Sequence, residues 1–203
     1  MDYKIIDIFP TAVLKFKLGR DLTKSEIDFV EYNENKHLQN SGNKYSKNTF
    51  ILNENEMQNI FEFCNNSIQT YFDKIINPIS KTNIKITQSW LNYTNKGEYH
   101  HTHSHSNSII SGVFYINAKK EYDSILMQRG GHNAFVIFPN SVNDFITNEV
   151  DFKVETGELI LFPSEVYHRV DVTKGEHQRI SLAFNTFFEG ELGYEPSLNY
   201  LKL

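Results

Sequence analysis

The sequence predicts a mostly β protein: a sandwich or barrel of short strands with two N-terminal helices packed on its outer face. Three observations predict it. From residue 83 onward, seven or eight short apolar or alternating runs are separated by turn signals. Before that point, two segments carry apolar residues at helical spacing. No linker rich in Pro, Gly or Ser divides the two parts, so residues 1–203 read as a single domain. Within it, 1–82 form an N-terminal strand and helical support, 83–188 the β core, and 189–203 a C-terminal arm that could dock on a second copy.

Residues 3–18 read as one or two short strands broken at Pro10. Residues 21–32 read as a helix, because Thr23 and Glu26 have capping-box spacing and Ile27, Phe29 and Val30 supply an apolar side. The polar stretch 33–48 reads as a loop with the potential to contact substrate. Residues 53–76 form the strongest helix, capped by Asn53 and ended by Asn77-Pro78. Its stripe of Met57, Ile60, Phe61, Cys64, Ile68, Tyr71 and Phe72 reads as a face packed on a sheet, with Cys64 a small buried hydrophobe. Strands follow at 84–93, 109–117, 124–128, 134–138, 151–154, 158–162, 167–172 and 179–187. Turns at Gly130-Gly131, Pro139-Asn140, Thr156-Gly157 and Lys174-Gly175 separate several of them.

Hydrophobic residues make up 39% and aromatics 14% of the 203 residues, enough for a sizeable core. The net charge of −5 and the lack of a basic block argue against a non-specific nucleic-acid surface. The single Cys64 excludes an internal disulfide and fits a reducing compartment. No apolar run approaches the ~20 residues of a membrane span, and the opening MDYKIIDIFP lacks the pattern of a signal peptide. These features predict a soluble cytoplasmic protein.

Four of the eight histidines fall in His100-His101-Thr102-His103-Ser104-His105. Imidazoles at i and i+2 of an extended strand share a face, so His103 with His105, or His101 with His103, can present a pair of ligands. His168, at the start of a later strand, is the candidate third ligand, which would complete a facial set with open positions. His100 reads as a solvent or outer residue, and His37, His132 and His177 as surface residues. On the last long strand, alternation puts Arg179, Ser181, Ala183 and Asn185 on one face and Ile180, Leu182 and Phe184 on the other. A permanent cation on an interior face requires an anion, and the guanidinium fork suits a carboxylate.

Three motifs in order carry a family resemblance. They are His103-Ser-His105-Ser-Asn-Ser108-Ile-Ile-Ser111-Gly112-Val113-Phe114-Tyr115, then Phe162-Pro163-Ser164-Glu-Val-Tyr-His168, then Arg179-Ile-Ser181-Leu-Ala-Phe184-Asn185. Together they resemble the Fe(II)/2-oxoglutarate-dependent dioxygenases. The likeness is greatest to the prolyl-hydroxylase-like branch and its poorly characterised phage and bacterial oxygenases, and it spans about residues 85–188. The resemblance implies a double-stranded β-helix of jelly-roll or cupin-like type, with Fe(II) held at one end and 2-oxoglutarate as co-substrate. It implies metal ligands at His103, His105 and His168, and Arg179 at the position that meets the distal carboxylate. Ser181, Asn92, Tyr93 and Tyr115 stand at co-substrate positions, Asn92 and Tyr93 through the lead-in Asn92-Tyr93-x3-Gly97-x-Tyr99. The implied reaction is hydroxylation of a substrate the sequence does not identify, with decarboxylation of 2-oxoglutarate to succinate; a small molecule or peptide is the expected partner, and a protein residue or nucleotide stays open.

The chain departs from that family in one respect. Most of the superfamily pairs the first histidine with a carboxylate, whereas this set would be three neutral imidazoles, one negative charge short. The lead-in leaves the choice between the two pairs open, and the Ser111-Gly112-Val113 side favours His103 with His105. A second reading is a cupin-type metalloprotein that works without 2-oxoglutarate. Gly97-x5-His103-x-His105 and Gly157-x5-Pro163 fit part of the cupin pattern, but Ile109 and Ile110 stand where its glutamate belongs. A third is a non-catalytic β-sandwich with incidental histidines.

Overall fold

The computed structural model describes residues 1–79, 81–130, 140, 141, 143 and 145–203. A short strand, β1 (Leu14–Lys17), leads to helix α1 (Lys24–Glu34) and a hairpin of β2 (His37–Gln39) and β3 (Lys44–Ser46). Helix α2 (Gln58–Tyr71) follows, then β4 (Thr82–Thr94), β5 (His100–His103), β6 (Ile110–Asn117) and β7 (Ser124–Gln128). The chain continues through β8 (Glu149–Lys153), β9 (Glu158–Pro163), β10 (Tyr167–Val170), β11 (Arg179–Leu192) and β12 (Leu201–Lys202).

The strands form two facing antiparallel sheets. The larger runs β1-β9-β6-β11-β4-β3-β2, with β12 on β11, and the smaller runs β5-β10-β7-β8. This is the jelly-roll arrangement of a double-stranded β-helix. Period-two alternation sorts the larger sheet's side chains between two cores. Leu91, Tyr93, Phe114, Leu159, Leu161, Ile180, Leu182 and Phe184 face outward and pack with Val30, Ile60, Cys64 and Ile68 of the helices. Val113, Tyr115, Ile160, Phe162 and Ala183 face inward, against Ile125 and Met127 of the smaller sheet. Each fully buried Ile or Leu contributes about 1.5–3 kcal/mol, so the helix stripe suffices to hold α2 on the sheet. Cys64 is fully buried and burial pushes its thiol pKa up, as befits a core residue.

Helix α1 begins as its spacing predicts: the Thr23 side chain accepts from Glu26 N and Glu26 returns to Thr23 N. Helix α2 does not begin at Asn53. Two single turns at Ile51–Asn53 and Asn55–Met57 precede it, and its N-cap is Met57 without a side-chain bond. A wider turn, Phe72–Ile76, then ends it at Asn77, in the left-handed region at φ 48°. The stretch 33–48 is not a loop: β2 and β3 pair antiparallel, and β3 adds to β4. Gly42 (φ 91°) turns that hairpin, and a Cβ there would meet Tyr99 O at 2.6 Å. In 3–18 only β1 is extended; Ile5, Ile6, Ile8 and Phe9 before it are exposed. The C-terminal arm folds back on its own chain, with β12 on the end of β11. The strand expected at 134–138 and the expected surface residue His132 lie outside the described residues.

Candidate metal centre and its pocket

Strand β5 ends at His103, and β10 pairs with it so that His168 stands opposite His103 in register. His105 lies just beyond β5, where its N–H donates to Ser164 O at 2.9 Å. The three rings converge: His103 and His105 stack at 5.1 Å between centroids, His103 and His168 are 4.3 Å apart, and His105 and His168 are 5.1 Å apart. One nitrogen of each lies within 4.8 Å of the others.

Each ring is held by its Nδ1. His103 Nδ1 donates to His101 O at 2.8 Å, and His168 Nδ1 to Val166 O at 3.0 Å. His105 Nδ1 donates to Asn185 Oδ1. An oxygen of this type only accepts, so all three protons sit on Nδ1 and the Nε2 lone pairs remain free for a metal. Ser111 Oγ donates to Asn185 Oδ1 at 3.0 Å and lies 2.8 Å from Ser164 Oγ, which lies 2.7 Å from Ser108 Oγ, so the hydroxyls can relay donation from Ser108 through Ser164 and Ser111 to the amide. The serines of the first two motifs thus form one chain that aims the amide of the third motif at His105. The sequence reading did not single out Asn185; its place at the end of the Arg179 motif, on the interior face, was the available signal.

The charge state agrees with metal binding. Burial, then the nearby His103, pushes His168 down to about 3 against the opposing Val166 bond. Burial also lowers His103 and His105. Neutral imidazole is the ligating form.

Behind the rings lies a pocket lined by Trp90, Asn92, Arg179, Ser181 and Ala183 from the larger sheet, and by Ile125, Arg169 and Val170 from the smaller. Arg179 is only 2% exposed, and among the described residues no carboxylate pairs with it. Among the described residues, its Nε and Asn92 Oδ1 are buried without a hydrogen-bond partner, and the Tyr115 hydroxyl faces only the Arg179 side chain. The guanidinium lies over the Tyr115 ring, 5.2 Å from its centroid. Burial pushes the Tyr115 hydroxyl up to about 12, with Arg179 partly opposing. An unpaired buried cation with orphaned polar atoms around it costs several kcal/mol, and an anionic guest would offset that cost. The donor set therefore fits a divalent metal, and the pocket fits a carboxylate.

Two expectations are corrected. Tyr93 is not in this pocket: adjacent strand residues face opposite ways, Asn92 points in, and Tyr93 donates to Val30 O at 2.8 Å in the helix-side core. His177 is not a surface residue: its Nε2 bonds the buried Asp123 Oδ2 at 2.6 Å. His37 is exposed, as expected. Of the two readings of His100, the outer residue beside the ligands is the one the structure has: it lines the pocket and stacks on His103 at 4.5 Å. The rim is completed by Asn40, Tyr45 and Thr49 around the β2–β3 hairpin, with Gln88 and Ser106.

Residues 88–185 match the family model described as "Putative 2OG-Fe(II) oxygenase". That match falls on the β core and spans just under half of the chain. A comparison with curated proteins finds no match. Among solved structures, the fold is similar to that of a Trichoplax adhaerens prolyl hydroxylase in complex with a hypoxia inducible factor peptide fragment. That match has a TM-score of 0.59 and 14% identity, over 87% of this chain and 83% of that one. HygX from Streptomyces hygroscopicus, with nickel, 2-oxoglutarate and hygromycin B bound, matches with a TM-score of 0.58 and 12% identity over 87% and 82%. The viral collagen prolyl hydroxylase of Paramecium Bursaria Chlorella virus-1, as its 2OG complex, matches with a TM-score of 0.53 and 13% identity over 86% and 94%. At these identities the likeness is one of fold.

Proposed function

We propose that this chain is an Fe(II)- and 2-oxoglutarate-dependent hydroxylase in which His103, His105 and His168 hold the metal and Arg179 receives the distal carboxylate of 2-oxoglutarate. The observation that carries the reading is Arg179: a buried guanidinium with no acid beside it among the described residues, in the pocket that the three imidazoles close. When bound, Fe(II) and 2-oxoglutarate supply the oxidising chemistry: substrate, dioxygen and 2-oxoglutarate give hydroxylated substrate, succinate and carbon dioxide. The protein's part is to hold and orient. The Nδ1 acceptors aim three Nε2 lone pairs at one point. Asn92, Tyr115 and Ser181 surround the guanidinium and offer the polar contacts a carboxylate needs. Val113, Ile125 and Ala183 line the same pocket with apolar surface that keeps water from it.

The substrate enters from the other side of the rings, past Asn40, Tyr45, Gln88 and Trp90. These uncharged, hydrogen-bonding and aromatic groups suit a small molecule or peptide carrying no strong charge at the reacting end. Among the described residues no helix is long and apolar enough to cross a membrane. The reduced, buried Cys64 favours the cytoplasm. A cupin-type reading leaves Arg179 without a role. The test is succinate formation from 2-oxoglutarate by the purified chain with Fe(II). Wild type should turn over even without substrate, slowly, and His168→Ala should not; equal succinate from both would overturn the proposal.

A further inference from the structure

The cluster His100, His101 and His103 is not absorbed by that function. One ring nitrogen of each lies within 4.8 Å of the other two, which is the same closeness as in the inner set. The rings meet at 4.5 Å for His100 and His103, 5.2 Å for His100 and His101, and 5.2 Å for His101 and His103. His101 is exposed, so the cluster opens to solvent at the mouth lined by Asn40 and Tyr45. Asn40 Nδ2 stands 3.2 Å from His100 Nε2 and marks its lone pair as the one a metal could take in its place.

We propose that His100, His101 and His103 form a second, outer site for a divalent cation of the Zn(II), Ni(II) or Cu(II) type, and that it excludes the inner ion because both sites require His103. Imidazole sets of this kind favour those ions over Fe(II). With Nδ1 committed to His101 O, His103 has one Nε2 lone pair, and that lone pair can serve one metal at a time. An ion captured outside would leave the inner set with His105 and His168 alone. The site would thus act as a trap through which late transition metals block loading of the centre. This exclusion rests on the inner set being the iron site; the existence of the outer site does not.

The test is Co(II) binding to the metal-free full chain, read by calorimetry and by the visible d–d bands. Wild type should take up one tight Co(II). His105→Ala/His168→Ala, which destroys only the inner set, should still bind one with a changed spectrum, and adding His101→Ala should abolish it. His101→Ala alone should keep one. No binding by the double variant, with circular dichroism showing it folded, would overturn the outer site; His105→Asn/His168→Asn provides the same test if the alanine pair does not fold. Two tight ions in wild type would overturn the exclusion. Loss of binding in His101→Ala alone would instead contradict the inner assignment.

Discussion

His103 and His168 stand directly opposite each other across the antiparallel pair β5–β10, with ring centroids 4.3 Å apart. Sixty-five positions of sequence separate them, and one register point of a four-stranded sheet joins them. The candidate metal centre is therefore a property of strand pairing. Anything that slips β5 against β10 removes it.

Asn185 orients His105 without touching the metal position. Loss of such a partner commonly weakens metal binding about 10–100-fold. Asn185→Ala should weaken Mn(II) binding in that range, while His168→Ala should weaken it by more. Electron paramagnetic resonance of free Mn(II) reads both. Equal affinity in Asn185→Ala and wild type would refute the orienting role.

Tyr115 buries a hydroxyl that, among the described residues, has no well-aligned hydrogen-bond partner and faces the Arg179 side chain. Removing such a group relieves about 1 kcal/mol or more of desolvation. Tyr115→Phe should leave the melting temperature of the metal-free protein unchanged or raised. The same variant should lose part of the stabilisation that 2-oxoglutarate adds to the metal-loaded protein. A variant melting well below wild type, with full ligand response, would show that the hydroxyl serves the core instead.

Gly112 pairs with Phe184 across β6 and β11, and a Cβ on it would meet the Phe184 ring at 2.1 Å. The glycine of one motif therefore makes room for the aromatic residue of another. Gly112→Ala should cost about 1–3 kcal/mol by overpacking, and Gly112→Ala with Phe184→Leu should recover part of that loss. Urea midpoints of the two variants measure it.

Much of this was legible because strands obey period two. The alternation in 179–185 placed Arg179, Ser181 and Ala183 at the pocket and Ile180, Leu182 and Phe184 against the helices, as the structure has them. Applied to Asn92-Tyr93, the same rule excludes one of the two from the pocket, and the family resemblance obscured that. The β2–β3 hairpin was missed because its residues, His37-Leu38-Gln39 and Lys44-Tyr45-Ser46, lack an apolar face; pairing with β4, not burial, keeps them extended. His177 was misread for a related reason: its partner Asp123 lies far off in sequence, and polar neighbours do not reveal a buried pair.

The start of α1 should be acid-sensitive. Burial alone would raise the Glu26 pKa, but hydrogen bonds from Arg20 and Thr23 outweigh it and hold the carboxyl below its usual 4.5. The folded state thus binds this proton less readily than the unfolded chain. The stabilisation is fully present above the unfolded value and is lost as pH falls through the folded one. Glu26→Gln should be less stable than wild type near neutral pH by about 1.5 kcal/mol, the low end of the range for a hydrogen bond to a charged group because Arg20 is partly exposed. The gap should close as pH drops below 4.5. A gap constant with pH would show that the charge is irrelevant.

The most direct test of the central claim is the affinity of the Mn(II)-loaded protein for 2-oxoglutarate in wild type and Arg179→Ala, measured by calorimetry. Truncating one partner of a buried charge pair costs at least about 2 kcal/mol, so the variant should bind 2-oxoglutarate about 30-fold more weakly or worse while Mn(II) binding holds. Unchanged affinity for 2-oxoglutarate, with Mn(II) still bound, would contradict the account.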